Sequence, residues 1–114
     1  MSECIFCKIA NGQLGSKKVY EDDLCLAFDD IRPQAPVHSL VIPKQHVSSL
    51  DDFQDGEGNL LGHLLQTCRT VAREKGITES GYRVVTNTGP HAGQSVFHVH
   101  FHVLGGRPMS WPPG

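Results

Sequence analysis

The hydrophobic and polar positions of the chain predict five short strands and two helices. Strand-like patterns, either alternating or in short apolar runs bounded by turn residues, cover residues 17–22, 24–30, 38–43, 81–89 and 95–104. Residues 60–75 carry apolar positions every three or four residues, which predicts one long helix, and residues 4–11 predict a short N-terminal helix. Short connections between strands favour antiparallel pairing. We therefore expect an α+β fold, with both helices on one side of a five-stranded antiparallel sheet.

Composition fits one folded domain that spans residues 1–114. The chain is 39% hydrophobic, has a formal net charge of −2 and contains four cysteines. These values indicate a globular protein, and the scattered Lys and Arg residues do not form the basic face that nucleic acids require. No apolar run approaches the roughly 20 residues of a transmembrane helix, and no signal-peptide pattern is present. We expect reduced cysteines, a cytoplasmic location, and neither nucleic-acid nor membrane partners.

The segment GQSVFHVHFHVLGG, residues 93–106, carries the candidate chemistry. On a strand, His98, His100 and His102 would share one face because side chains alternate. Three imidazoles in a row favour either a zinc centre that activates water or a histidine that acts as a covalent nucleophile. The preceding loop, TGPHAGQS, would offer backbone N–H groups and the Ser95 hydroxyl to an anion. This loop favours a phosphate substrate and a nucleophilic histidine, and the zinc centre stays as the competing interpretation.

Motifs along nearly the whole chain resemble the histidine triad (HIT) superfamily, and in particular its Hint branch of nucleotide-binding proteins. HVHFHVL fits the triad pattern, and the likeness extends over CLAFDDIRPQAPVHSLVIPKQH, LLGHLL, GYRVVTNTG and GGRPMSWPPG. The resemblance implies a purine nucleoside phosphoramidase that releases AMP from adenosine 5′-monophosphoramidates through a nucleotidyl-histidine intermediate, with no cofactor required for catalysis. The alternative is a nucleotide-binding regulatory module whose catalysis is incidental.

The resemblance also implies roles for individual residues. His100 is the nucleophile, His102 contacts the phosphate and helps deliver a proton to the leaving group, and His98 orients the nucleophile. His38 hydrogen-bonds His102, and Ser95 contacts the phosphate and the leaving group. The other implied nucleotide contacts are Asp30 for the ribose, Phe6, Ile9, Phe28 and Ile31 around the base, and Asn87, Gly93 and Gln94 beside the phosphate. Leu14 is a further candidate for the base. His63, within the helix, matches no role and is expected at the surface.

Two further features concern metal and assembly. Cys4 and Cys7 have the Cys-x-x-Cys spacing of half a zinc site. The candidate partners are His46 and His98, because some bacterial members of the wider family carry a structural zinc on this combination. Four protein ligands leave no open position for water, so we expect such a zinc to be structural. The resemblance further implies a homodimer in which the tail with Trp111 lies near the partner's active site.

Overall fold

The computed structural model describes residues 3–114, which form a five-stranded antiparallel sheet with two helices. In chain order the elements are α1 (Ile5–Ala10), β1 (Lys18–Glu21), β2 (Cys25–Asp29), β3 (Val37–Pro43), α2 (Gly58–Glu74), β4 (Tyr82–Val85) and β5 (Phe101–Gly105). The strands lie in the order β1-β2-β3-β5-β4, and every neighbouring pair is antiparallel. The predicted α+β fold is confirmed.

The central strand β3 separates two hydrophobic cores. Leu40 and Ile42 pack on one face of the sheet with Phe6 of α1. Val41 points to the other face and joins the buried side of α2 around Leu64. Because β2 and β3 are apolar on both faces, each face needs a helix to cover it. The helices therefore lie on opposite faces of the sheet, and the expectation that they share one side was wrong.

The strand predicted over residues 95–104 is wrong in its first half, since β5 begins only at Phe101. The chain before it bends, and the Val99 N–H donates to the Val47 carbonyl at 2.6 Å. That bond lies outside the ladders that β5 forms with its neighbours. We call His98, His100 and His102 the histidine row. Of these three, His102 alone is therefore part of a strand.

The longest helix, α2, has 17 residues and buries one face against the sheet. Its buried positions are Leu64, Thr67, Cys68, Val71 and Ala72. Within residues 3–114, no helix combines the length and the apolar character needed to cross a membrane. The cytoplasmic location stays a prediction.

Candidate active site

A cavity of about 380 Å³ opens on the α1 face of the sheet, beside the histidine row. It brings together these residues predicted from the sequence: Phe6, Ile9, Phe28, Asp30, Ile31, Ser95, His100 and His102. Leu14, a further candidate for the base, also lies in the wall. The wall residues that were not predicted are Ile5, Gly15, Ser16, Lys17, Asp29, Leu40 and Val96. The Ile31 side chain at the rim is 92% exposed, which leaves an apolar surface for a ligand to cover. Apolar walls with a few convergent polar groups are typical of a small-molecule site.

His100 is held with one ring nitrogen ready to react. Its Nδ1 lies 2.8 Å from the carbonyl oxygen of His98, which can only accept a hydrogen bond. The proton of the neutral ring is therefore on Nδ1, and Nε2 keeps its lone pair. Phe6 packs edge-on against the ring, with 5.0 Å between centroids, and burial lowers the pKa of His100. A neutral imidazole with a free lone pair is the form that a nucleophile requires.

His38 and His102 form a hydrogen-bonded pair whose direction is also fixed by the backbone. The Gln34 N–H donates to His38 Nδ1 at 3.0 Å, so the proton of His38 lies on Nε2. His38 Nε2 is 2.8 Å from His102 Nδ1 and donates to it, which leaves the proton of His102 on Nε2. Burial, followed by the nearby charges of His100 and His38, lowers the pKa of His102 to about 4. His102 is therefore a neutral donor at pH 7.

Asp30 stands at the cavity wall as an acceptor with a fixed orientation. Its Oδ1 accepts the Arg32 N–H at 2.8 Å, and its Oδ2 lies 3.4 Å from His38 Nε2. An acceptor-only carboxylate at this position suits the hydroxyl groups of a ligand that enters the cavity. This placement agrees with the ribose contact that the sequence resemblance implies.

The loop before the histidines contributes less directly than the sequence suggested. The Gln94 side-chain amide makes three hydrogen bonds to surrounding backbone, at 2.7 to 3.1 Å, and so shapes the loop. The Gly93 N–H donates to the Pro90 carbonyl at 3.1 Å, and Gly93 has φ +81°, which favours glycine. Asn87 is half-buried after β4 and is not part of the cavity wall. Ser95, which is exposed at the wall, is the loop residue best placed to meet an anion.

Cys4, Cys7, His46 and His98 meet on the other side of the row, and we call this group the thiol cluster. Their ligand atoms all lie within 4.8 Å of one another, with sulfur–nitrogen contacts of 3.2 to 3.4 Å. His98 Nε2 donates to the Pro43 carbonyl at 2.8 Å, so its Nδ1 lone pair faces the two sulfurs. Two thiols and two imidazoles in this arrangement are a donor set that zinc prefers. The residues therefore fit the structural zinc that the sequence suggested.

A second group with ligand-type side chains, Asp22, Cys25 and His63, fits a metal poorly. Asp22 accepts from His63 Nε2 at 2.7 Å, from Tyr20 Oη at 2.8 Å, and from the backbone N–H groups of Leu24 and Cys25. Burial raises the pKa of the Cys25 thiol to about 11, which keeps it protonated. His63, which was expected at the surface, is half-buried, and its contact with Asp22 links α2 to the turn after β1.

The three histidines of the row do not form one metal site. The His98 ring faces the two sulfurs of the thiol cluster. His100 instead donates from Nδ1 to the His98 carbonyl, and His102 accepts a hydrogen bond at Nδ1 from His38. Within residues 3–114, no group of side chains with ligand spacing combines these three rings. The geometry therefore favours the nucleophilic histidine over a three-histidine zinc centre.

Comparison with known proteins agrees with this site. Residues 11–109 match the HIT domain. The chain belongs to the HIT family. It is 56% identical to an uncharacterized HIT-like protein of Synechococcus elongatus over the full length of both chains. A crystal structure of a HIT family hydrolase from Legionella pneumophila is 48% identical, with a TM-score of 0.96 over 98% of this chain and all of that one. A histidine triad nucleotide-binding protein from Candida albicans is 34% identical, with a TM-score of 0.82 over 96% and 83% of the two chains.

In this HIT site the sequence missed the groups that act through the backbone. The Gln34 N–H that sets the tautomer of His38 has no side-chain signature, because every residue except proline carries such a donor. Gly15 and Ser16 also belong to the cavity wall, and they lie in the segment between α1 and β1 that the strand and helix patterns leave out. The edge-on contact of Phe6 with His100 was missed as well, although Phe6 itself was predicted.

Proposed function

We propose that this HIT family hydrolase belongs to the Hint branch and cleaves the P–N bond of purine nucleoside 5′-phosphoramidates. The observation that carries the proposal is the unprotonated Nε2 of His100 in the cavity wall, which results from the Nδ1–H···O bond to His98. The apolar end of the cavity takes the purine, Asp30 takes the ribose hydroxyls, and the phosphate lies beside Ser95 and the two histidines. The nucleotide-binding relative from Candida albicans supports a nucleotide ligand.

The first chemical step forms a bond between His100 Nε2 and the phosphorus atom. As the P–N bond breaks, His102 gives its Nε2 proton to the departing nitrogen, which leaves as an amine. The carbonyl of His98 stabilises the positive charge that the His100 ring gains, through the Nδ1–H bond of 2.8 Å. In the second step water attacks the same phosphorus and returns a proton to His102 Nε2, the P–Nε2 bond breaks, and AMP leaves. His100 returns to its starting form.

The proposal is tested by comparing substrates and trapping the intermediate. We expect adenosine and guanosine phosphoramidates to be hydrolysed with a higher kcat/KM than dinucleoside polyphosphates. Acid-free quenching in the first turnover, followed by peptide mass spectrometry, should find a nucleotidyl group on the peptide that contains His100. A preference for dinucleoside polyphosphates, or rapid turnover without a labelled histidine, would contradict the proposal. Retained turnover in the presence of a chelator would separate this chemistry from a zinc-dependent hydrolysis.

The thiol cluster is proposed as a structural zinc site that serves folding and not the reaction. Zinc on Cys4, Cys7, His46 and His98 would join α1 to the segment after β3 and to the start of the histidine row. Because all four ligands come from protein, the ion would have no position for water or substrate. Elemental analysis of protein purified without chelator decides the point. A zinc content below about a tenth of an equivalent per chain would contradict the proposal, because such sites hold the metal tightly.

A homodimer is also proposed. The outer edge of β4 pairs with no strand of residues 3–114, and Val84 on this strand is exposed. Trp111 is 81% exposed and lies above the Arg83 guanidinium, 6.0 Å from ring to charge. An exposed edge strand and an exposed tryptophan are surfaces that a second copy could cover by two-fold contact. Sedimentation equilibrium at micromolar concentration should give the mass of a dimer, and a monomer mass there would contradict it.

A further inference from the structure

The β2–β3 loop, residues 30–36, lies between the His38–His102 pair and the C-terminal tail, residues 106–114. Gln34 in this loop contacts both. The Gln34 N–H donates to His38 Nδ1 at 3.0 Å, on the side of the active site. The Gln34 carbonyl accepts from an Arg107 Nη at 3.0 Å, on the side of the tail. Arg107 follows β5 in the chain and is 73 residues away from Gln34 in sequence. Its guanidinium is exposed and is not part of the cavity wall.

The tail approaches this loop closely. Gly106 has φ +91°, and a Cβ built on it would lie 2.8 Å from the Cβ of Pro36. The backbone before Arg107 is therefore seated against the loop in a position that favours glycine. The same guanidinium also donates to the Pro108 carbonyl at 3.0 Å, which fixes its orientation. Arg107 thus reaches Gln34 from a constrained stretch of chain.

The direction of the hydrogen bonds gives the contact a chemical consequence. While the Gln34 N–H donates to His38 Nδ1, the His38 proton must lie on Nε2, where it donates to His102 Nδ1. If the loop shifts and that N–H is lost, the His38 ring can hold its proton on Nδ1. His38 Nε2 would then accept from His102 Nδ1, and His102 would lose the proton on the nitrogen that faces the substrate.

We propose that Arg107 is a positioning residue: by holding the Gln34 carbonyl it keeps the Gln34 N–H on His38 and thereby keeps the His102 proton on Nε2. Its effect on turnover rests on the phosphoramidase proposed above, whereas its effect on the tautomers does not. A hydrogen bond from an exposed side chain contributes little to stability. The bond therefore matters chiefly through the ring that it orients, as outer contacts of reactive histidines do.

The test compares Arg107→Ala and Arg107→Lys with two matched controls. Arg32→Ala removes an exposed guanidinium from the same loop and so controls for the lost charge. Arg83→Ala removes a bond to the same tail, from its Nη to the Ser110 carbonyl at 2.8 Å, without touching the loop. Long-range ¹H–¹⁵N spectra at pH 7 report which nitrogen of His38 and of His102 carries the proton, and they need no activity. Steady-state kinetics with adenosine phosphoramidate and thermal unfolding complete the comparison.

We expect wild-type protein to show both rings protonated on Nε2, and Arg107→Ala to show His102 partly protonated on Nδ1. Its kcat should fall about 10-fold with KM changed less than about 2-fold, as for other outer contacts of active-site histidines. Arg107→Lys keeps a hydrogen-bond donor, so it should recover part of the Nε2 protonation of His102 and part of kcat. Arg32→Ala and Arg83→Ala should retain the wild-type tautomers.

Wild-type tautomers in Arg107→Ala overturn the proposal, as does an equal tautomer change in either control. A fall in kcat that follows the unfolding midpoint, with the tautomers unchanged, overturns it as well. If the alanine variant does not fold, Arg107→Lys carries the test, and unchanged tautomers and kcat there count against the proposal. Absence of turnover in wild-type protein contradicts the proposed function and leaves the spectra to decide the role of Arg107.

Discussion

The two sides of the histidine row contain the same residue type and use it in opposite ways. On the thiol side, His98 is fully buried, donates from Nε2 to a carbonyl, and turns a lone pair towards two sulfurs. On the cavity side, His100 donates from Nδ1 to a carbonyl and turns its lone pair towards the space for substrate. The backbone carbonyl that each ring meets decides which nitrogen stays reactive. The comparison teaches that His-x-His spacing alone does not assign a role.

One hydrogen bond, from His100 Nδ1 to the His98 carbonyl, connects the cavity side of the row with the thiol side. The carbonyl that fixes His100 belongs to His98, whose ring is a proposed zinc ligand. The position of the His98 backbone is set in turn by the neighbouring Val99 N–H, which donates to the Val47 carbonyl at 2.6 Å. The thiol side therefore holds the backbone carbonyl that orients His100, the proposed nucleophile of the cavity side. Each of the following predictions separates these two contributions.

The largest effect is expected from removal of the nucleophile on the cavity side. His100→Ala should lower kcat by more than about 10³-fold, because no other group replaces a covalent nucleophile. AMP affinity should stay within about tenfold of wild type, since the apolar wall and Asp30 are intact. Stopped assays and calorimetric titration with AMP measure the two quantities. Turnover near the wild-type rate in a purified His100→Ala sample would falsify the nucleophile assignment.

His102→Ala should have a smaller effect, about 10- to 100-fold on kcat, because water can partly replace a hydrogen-bond donor. The variant should still form the nucleotidyl-histidine, and substrates with better leaving groups should lose less rate. Single-turnover measurements with a series of amine leaving groups test this dependence. An equal loss for every leaving group would mean that His102 acts on the phosphate alone, and a loss as large as that of His100→Ala would contradict the division of roles.

The fold could be predicted from the sequence wherever the local pattern of apolar residues decides the type of element. The apolar spacing of α2 and the short runs of β1, β2 and β3 located those elements within a few residues of their ends. The placement of α1 was missed because β2 and β3 carry apolar residues on both faces, over residues 25–28 and 40–43, and such a pattern does not say which face a helix covers.

About half of the residues in the cavity wall were predicted from the sequence, but the arrangement of the site was not. The alternation of the histidine row predicted a continuous strand, whereas the chain bends before Phe101 under hydrogen bonds to distant backbone. Tertiary contacts of this kind leave no local pattern. The same holds for Gln34 and for the Arg107 contact, where backbone groups carry the interaction. Gln94 was predicted beside the phosphate, but its side chain is used to hold the loop.

On the thiol side, Cys7→Ser should abolish zinc binding and leave the cavity intact. We expect bound zinc to fall below about a tenth of an equivalent and the free energy of unfolding to fall by about 2 to 4 kcal/mol. The matched control is His63→Asn. It removes a ligand-type residue from the group of Asp22, Cys25 and His63, and the variant should keep the full zinc content. Elemental analysis and urea unfolding check both variants. If Cys7→Ser and His63→Asn lose zinc equally, the loss follows general unfolding of the protein and not the removal of a ligand from the thiol cluster.

The smallest effect expected is the dependence of stability on pH that the cavity side produces. The pKa of His102 is lowered to about 4 by burial and then by His100 and His38, and Asp30 opposes the shift. An unfolded histidine binds its proton near pH 6.5, so between these values the unfolded chain binds more protons and acid favours unfolding. This contribution is complete above about pH 6.5, and its loss lowers the free energy of unfolding by at most about 3 kcal/mol as the pH falls to about 4.

Urea unfolding of metal-free protein at several pH values between 4 and 7 measures this slope without interference from zinc. His102→Gln removes the titrating ring and should flatten the slope, whereas His91→Asn changes an exposed loop histidine and should not. Burial also lowers the pKa values of His38, His98 and His100, so part of the slope should persist in His102→Gln. A wild-type free energy of unfolding that is constant from pH 7 to pH 4 would show that the rings of the row are not held neutral by burial. The assignment of His102 as a neutral donor at pH 7 would then lose its physical basis.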